Sequence, residues 1–302
     1  MYPMAALPLV AGVALVFVAG LVRMRAWHAA VADACPGQPI RYRDVVAAHL
    51  GGAGFNGLIP AHAGDAIKLG LLKRRTPEAP FGLLLGSLGP PAAVEAICTS
   101  LLLGWALSTE AVGAPSPGQI PLPLVGAAAA LGAGVLWLLA RRAPKLLRNV
   151  RRGMTTLRRP RLLLARVAPW VLAARALRLA AICCFIAAVG LPVTLAGALV
   201  VMVVQGGVGS PGPATTPIRI AVLSASLPAA LGMPHIAGEA STALIVGSQL
   251  AVMAVNLTIS VVVLAVTLRT TSPRRVASYC RETARALRTP APPQPAAPVV
   301  EP

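Results

Sequence analysis

Charge is what this chain has least of. Only 12% of its 302 residues are charged, about half the share found in soluble domains. Acidic groups are scarcer still, with 9 Asp and Glu against 27 Lys and Arg. Hydrophobic residues make up 56%, and several apolar runs approach or exceed the roughly 20 residues a helix needs to cross a bilayer. A soluble globular domain is a poor fit. The expected fold class is all-α: a polytopic transmembrane helical bundle.

Other absences narrow the chemistry. The four histidines, His28, His49, His62 and His235, form no ligand spacing, and neither do the five cysteines. No metal or other cofactor is therefore expected. Cys183 and Cys184 adjoin in an apolar helix and read as packing residues. The glycine-rich runs match neither a P-loop nor a dinucleotide fingerprint, and no nucleophile stands beside a base, so no enzyme is expected. The net charge of +18 could indicate nucleic acid, but the basic segments lack interleaved aromatics, and nucleic-acid binding is not expected.

The positive charge that is present is clustered. Ten of the 27 Lys and Arg lie between Arg141 and Arg166, and six follow Leu268. Basic loops mark the cytoplasmic side and favour contact with anionic headgroups. Whole spans are expected at about 4–22, 81–107, 120–140, 165–190 and 240–268. The first, followed by Arg23 and Arg25, reads as a signal anchor with its N-terminus outside. Segments 23–45 and 68–75 then read as cytoplasmic, and the loops bearing Glu110 and Glu239 as outside. Residues 1–268 form the membrane domain, with candidate halves 1–140 and 165–268 flanking the basic loop 141–165. The tail 269–302 is basic, then proline-rich (PAPPQPAAPVVEP), and cannot bury enough surface to fold.

Two apolar stretches are left over, and each is broken. Val45 to Leu72 is interrupted at GGAGFNGLIPAHAG, and Leu195 to Leu231 at QGGVGSPGPATTP. Each half is too short to cross comfortably, so each stretch is expected to form a re-entrant helical hairpin. A competing parse makes Leu179 to Val204 one span kinked at Leu191-Pro192. In the first break Pro60 precedes Lys68 by eight residues; in the second Pro211 precedes Arg219 by eight. Paired Gly/Pro breaks of opposite orientation point to an inverted repeat with a site between them.

Ionisable groups at membrane depth are functional candidates by default. Asp65 and Lys68, three apart, can pair on one helix face. Asp65 also suits the positive end of its helix dipole. Glu95 lies mid-span beside Pro90-Pro91 and is expected to pair with Lys68 or Arg219, or to be held protonated. Arg219 is the most isolated cation in an apolar region and either snorkels or binds a headgroup. Arg175 and Arg178 are expected to snorkel. Lys73, Arg74 and Arg75 read as orientation determinants. His62 is a candidate proton-sensitive group or a cap. Asn56, Gln205, Gln249 and Asn256 can join interhelical hydrogen bonds.

At these residues the chain resembles the transmembrane-region family of lysylphosphatidylglycerol synthases, flippase-like integral membrane proteins. The likeness is clearest at NGLIPAHAGDAIKLGLLKRR, which carries over Asn56, Pro60, Gly64, Asp65 and Lys68. In SLGPPAAVE, Ser87 fits the family pattern, Pro91 and Ala92 stand where it has Glu-Arg, and Glu95 where it has Asp. GSPGPATTP, with Pro211, resembles its later break, though no Gly-Gly-x-Gly and Glu follow the proline as they do in the family. The resemblance spans roughly 20–268 and implies a membrane part that binds or moves lipid. No folded synthetase domain is expected after Leu268. The leading expectation is a plasma-membrane protein that passes an anionic lipid, phospholipid or polyprenyl-linked, between leaflets. Lys68 and Arg219 would attract the headgroup, Asp65 and Glu95 would hold those cations, and Asn56 and His62 would assist. The alternatives are a scaffold that recruits a partner through its basic loop and tail, and a membrane-embedded lipid-modifying enzyme.

Overall fold

A backbone surrounded by lipid must satisfy its own polar groups, which leaves an apolar, alanine-rich chain few options besides helix. The computed structural model describes residues 5–57, 63–108, 144–207, 216–231, 233 and 238–268. Every regular element among them is helical. In chain order they are α1 (Ala6–Ala34), α2 (Tyr42–Ala53), α3 (Ala63–Arg75), α4 (Phe81–Gly86), α5 (Gly89–Ser108), α6 (Pro144–Gly153), α7 (Pro160–Ala188), α8 (Leu195–Gly207) and α9 (Thr216–Leu231). The last helix, α10, joins Gly238–Thr242, a π-helical turn Ala243–Gly247, and Ser248–Leu268. Among the described residues, four stretches are long and apolar enough to cross a membrane: α1, Phe81–Leu102, α7 and Glu239–Thr267. The expected span at 120–140, Glu110, Pro60, His62, Pro211 and the tail 269–302 lie outside the described residues.

The boundaries follow local chemistry, and three differ from expectation. The first helix does not stop at Val22. Nothing breaks it before Cys35-Pro36-Gly37, where Gly37 takes φ +93°, so Arg23 and Arg25 lie inside α1 rather than in a loop. Arg25 lays its guanidinium 3.9 Å from the centre of the Tyr42 ring, a cation–π contact. The run 81–107 is split at Ser87-Leu88. Pro90 and Pro91 then occupy the first turn of α5, where their missing N–H groups cost nothing, so they start a helix instead of interrupting one.

The kinked span from Leu179 to Val204 does not form. Gly190 takes φ +75°, its N–H bonds Ala187 O at 3.0 Å, and the Leu191 N–H bonds Ile186 O at 3.2 Å. That pair is a Schellman stop, and Pro192 follows it. Thr194 then starts α8, its hydroxyl accepting the Gly197 N–H at 3.1 Å. α8 and α9 pack on each other as a hairpin, as do α2 and α3. The two broken stretches are hairpins.

Lipid tails are as apolar as leucine, so helix association in a bilayer depends on close packing. α1 and α7 achieve it with small residues: Ala19, Ala26 and Ala30 against Ala174, Ala181 and Ala188, all buried. At one end of the bundle, Val13 and Val16 of α1 join a core built from the later part of α7, α8, α9 and the start of α10. Towards the other end, Met24, Trp27 and Val31 of α1 join a core with α2, α3, α4 and Leu264. A smaller core holds Ala26, Val94, Val167 and Val171. Arg23 falls between the first two of these cores.

Candidate anion-binding site

Arg23 lies in the inward stripe of α1, one turn from buried Ala19 and Trp27. There it grips Glu95 with both arms of its guanidinium: Nε donates to Oε1, and Nη2 donates to Oε2 at 2.9 Å. The fork-to-fork geometry fixes direction as well as charge. The pair is not sealed off, since 37% of the Arg23 side chain and 26% of the Glu95 side chain remain accessible. Glu95 therefore does pair with a cation, but with Arg23 and not with Lys68 or Arg219. Charge patterning along the sequence puts Arg23 on the cytoplasmic side and so cannot bring the two together.

α7 faces the same carboxylate. Nη2 of Arg175 donates to Glu95 O at 2.9 Å and to Thr99 Oγ1 at 2.6 Å. Thr99 itself donates back to Glu95 O at 2.8 Å. Arg178 stands three residues on, in the stripe that carries buried Val171, Ala174, Ile182 and Phe185. Its side chain is nonetheless exposed. The charges of Arg23, Glu95, Arg175 and Arg219 all act on it. Arg178 is thus accessible although it stands in the inward stripe of α7, and it is surrounded by charged groups. Arg175 does not snorkel: its guanidinium is bonded inside the bundle.

The first hairpin supplies the other side. Lys68 is buried, donates to Asp65 Oδ1 at 2.8 Å, and rests its Nζ 5.1 Å from the centre of the Trp27 ring. The expected Asp65–Lys68 pair is present. Trp27 is held in turn by its indole N–H, which donates to Ser87 Oγ at 3.1 Å, and Ser87 donates to Leu84 O at 2.6 Å. The Ser87 of the sequence motif is thus a support for the tryptophan beneath Lys68. Arg23 and Glu95 lie within electrostatic reach of Lys68. His49 of α2 feels Lys68, Arg23 and Asp65, and its Nδ1 is buried without a hydrogen-bond partner among the described residues.

The hairpin is positioned by near backbone contact. A Cβ on Gly52 would meet Gly64 O at 2.2 Å, and one on Gly54 would meet Leu257 Cα at 2.5 Å. Gly64 thus serves through its backbone. The turn Gly54–Gly57, which includes Asn56, is capped by α10: the Gly54 N–H donates to Ser260 Oγ at 2.8 Å, and Ser260 donates to Leu50 O at 2.5 Å. The backbone polar groups at this break are satisfied by a neighbouring helix.

Arg219, in the first turn of α9, is only 1% exposed, which removes the snorkelling alternative. Its charge reaches Arg178. Lys73 caps the loop after α3 by donating to Pro77 O and Ala79 O. Arg75 pairs with Asp44, and Arg159 with Asp33, which also accepts from Thr156 at 2.8 Å. Among the described residues no three His, Cys, Asp or Glu side chains gather as a metal site.

Residues from three helices and a hairpin therefore come within electrostatic reach of one another, and Arg219 of a fourth helix reaches Arg178. Arg23, Lys68, Arg175, Arg178 and Arg219 bring five positive charges; Asp65 and Glu95 bring two negative ones. Of these, Lys68, Asp65, Glu95 and Arg219 are candidates from sequence, whereas Arg23, Arg175, Arg178 and His49 are not. The signal available for Arg175 and Arg178 is their spacing of three inside a span. Comparison of the chain with family models, curated proteins and solved structures found no match.

Proposed function

We propose that this membrane protein binds the anionic headgroup of a lipid in the cleft lined by Arg23, Arg175 and Arg178 and carries it between leaflets. The observation that supports this reading is the excess of cations in a partly open site within an otherwise apolar bundle. Charge buried at such depth is costly and is expected to line a substrate path. The acyl or prenyl chain would stay in the bilayer while the headgroup follows the arginines. The two hairpins, packed against opposite ends of the bundle, would form the two gates. Their relation as an inverted repeat, the plasma-membrane location with the N-terminus outside and the basic end cytoplasmic, and the kinship with flippase-like proteins belong to the same reading.

The test is headgroup translocation in proteoliposomes containing a fluorescent short-chain phosphatidylglycerol. Loss of one charge-assisted hydrogen bond, ~1.5–3 kcal/mol, should slow Lys68→Ala, Arg175→Ala and Arg219→Ala about tenfold or more. Rates equal to wild type in all three would sink the assignment.

A second reading rests on a separate observation. Arg151, Arg152, Arg158, Arg161 and Arg166 are all exposed along α6, the Thr155–Arg158 turn and the start of α7. A basic surface of this kind suits an anionic leaflet, and a scaffold would use it without transport. Neutralising these arginines would then abolish function while Arg175→Ala is tolerated.

A further inference from the structure

The donor inventory of the cleft narrows the headgroup, given the lipid-binding reading above. Both oxygens of Glu95 are held by Arg23, so this carboxylate and this guanidinium neutralise each other. Asp65 and Lys68 form a second neutral pair. Arg175 directs one nitrogen at two uncharged acceptors, the Glu95 carbonyl and the Thr99 hydroxyl, which leaves its Nε–H and the two N–H groups of Nη1 available. Arg178, one turn away, makes no hydrogen bond or ion pair with a described residue and is accessible. A guanidinium has five N–H donors in a fixed plane. Two positive charges, each with donors to spare, thus sit side by side with no carboxylate of their own.

We infer that the ligand is phosphate-terminated, carrying a phosphomonoester or diphosphate end, rather than a phosphodiester or carboxylate. A phosphomonoester bears about −1.5 to −2 at neutral pH and three acceptor oxygens. It can therefore balance both arginines and take a bidentate fork from each. A phosphodiester offers a single negative charge and two free oxygens, and leaves one guanidinium uncompensated at membrane depth. Zwitterionic headgroups add a cation to a site already in cationic excess. Arginine rather than lysine at both positions fits planar recognition of phosphate. Thr99 and the Glu95 carbonyl hold the Arg175 plane in place before a ligand arrives.

The test uses the full chain, purified in detergent, and four probes: dioctanoyl phosphatidic acid, dioctanoyl phosphatidylglycerol, dioctanoyl phosphatidylcholine and inorganic phosphate. Calorimetric or thermophoretic titration should give phosphatidic acid about tenfold tighter binding than phosphatidylglycerol, the worth of one further charge-assisted contact, and no binding of phosphatidylcholine. Arg178→Ala should bring the two anionic lipids level, while Arg178→Lys keeps part of the preference as a point charge. Because Arg178 makes no hydrogen bond or ion pair with a described residue, its variants should elute as wild type on size exclusion. Arg178→Gln provides a second neutral variant. Equal affinity for the two anionic lipids in the wild type would overturn the phosphate-terminus inference and leave anionic-lipid binding standing. Binding of neither lipid would overturn both. Inorganic phosphate binding as tightly as phosphatidic acid would retain the phosphate chemistry and overturn its lipid source.

Discussion

The two hairpins solve the same problem by opposite means. The first, α2–α3, is joined by backbone contact: Gly52 admits Gly64 O to a distance that any side chain would block, and Ser260 of α10 closes the turn. It carries Asp65 and Lys68 into the bundle. The second, α8–α9, is closed by side chains of an apolar core, with Leu223, Leu227 and Leu231 buried against α8, and contributes Arg219. The difference teaches that the polar hairpin is fixed in position and the apolar one is cushioned. Small residues allow close approach, and close approach tolerates nothing larger. Aliphatic side chains can shift rotamer.

The sharpest way to break this comparison is at the glycines. Gly52→Val should drive a side chain into the Gly64 carbonyl and cost about 3 kcal/mol or more. The readout is loss of the monodisperse peak on size exclusion. Gly197→Ala in the second hairpin meets chiefly Leu231 Cδ2, the end of a flexible side chain, and should cost less than about 1 kcal/mol. A Gly52→Val protein as stable as wild type would show that the first hairpin is not held by backbone contact.

Next in size is the Arg23–Glu95 bridge, which joins α1 to α5 between the two hairpins' cores. Arg23→Ala leaves Glu95 without its cation, and a cycle with Glu95→Ala should give a coupling of ~1–3 kcal/mol in thermal unfolding. Arg178→Ala, in contrast, should change stability by no more than about 0.5 kcal/mol while binding falls. Third, Ser260→Ala removes both bonds at the tip of the first hairpin and should destabilise by ~1–3 kcal/mol. Fourth is Gly190→Ala, which forces a left-handed backbone on a side chain at the end of α7 for ~1–2 kcal/mol. Its effect should be confined to the second hairpin, visible as faster hydrogen exchange over α8.

How much of this is legible in the sequence depends on the range of the interaction. The hairpin breaks are visible because glycine and proline act locally, and so is the Asp65–Lys68 pair at a spacing of three. The helix content follows from apolar runs. Arg23 and Glu95 are 72 residues apart, and no local pattern states which distant helix a charge will face. Arg23 is also deceptive because a cation after a long apolar run usually marks a membrane boundary. What decides otherwise is the absence of a breaker before Pro36, which lets α1 run on with a charge inside it. The position of Glu95 is obscured by Pro90-Pro91, which resembles an interruption, although prolines in a first turn begin a helix. Arg175 and Arg178 look like interfacial residues from α7 alone, but burial along α7 is decided by α1 and α5.

The central claim is that the arginines around Glu95 line an open cleft that an anionic lipid occupies. It can be measured directly with Arg178→Cys, in a chain whose five native cysteines are replaced by alanine. A charged, membrane-impermeant thiol reagent should label this position, and dioctanoyl phosphatidic acid should slow the labelling in proportion to its occupancy. Arg219→Cys, at a buried position, should label far more slowly. An Arg178→Cys protein that resists the reagent, or that is labelled at the same rate with and without the lipid, would contradict the account.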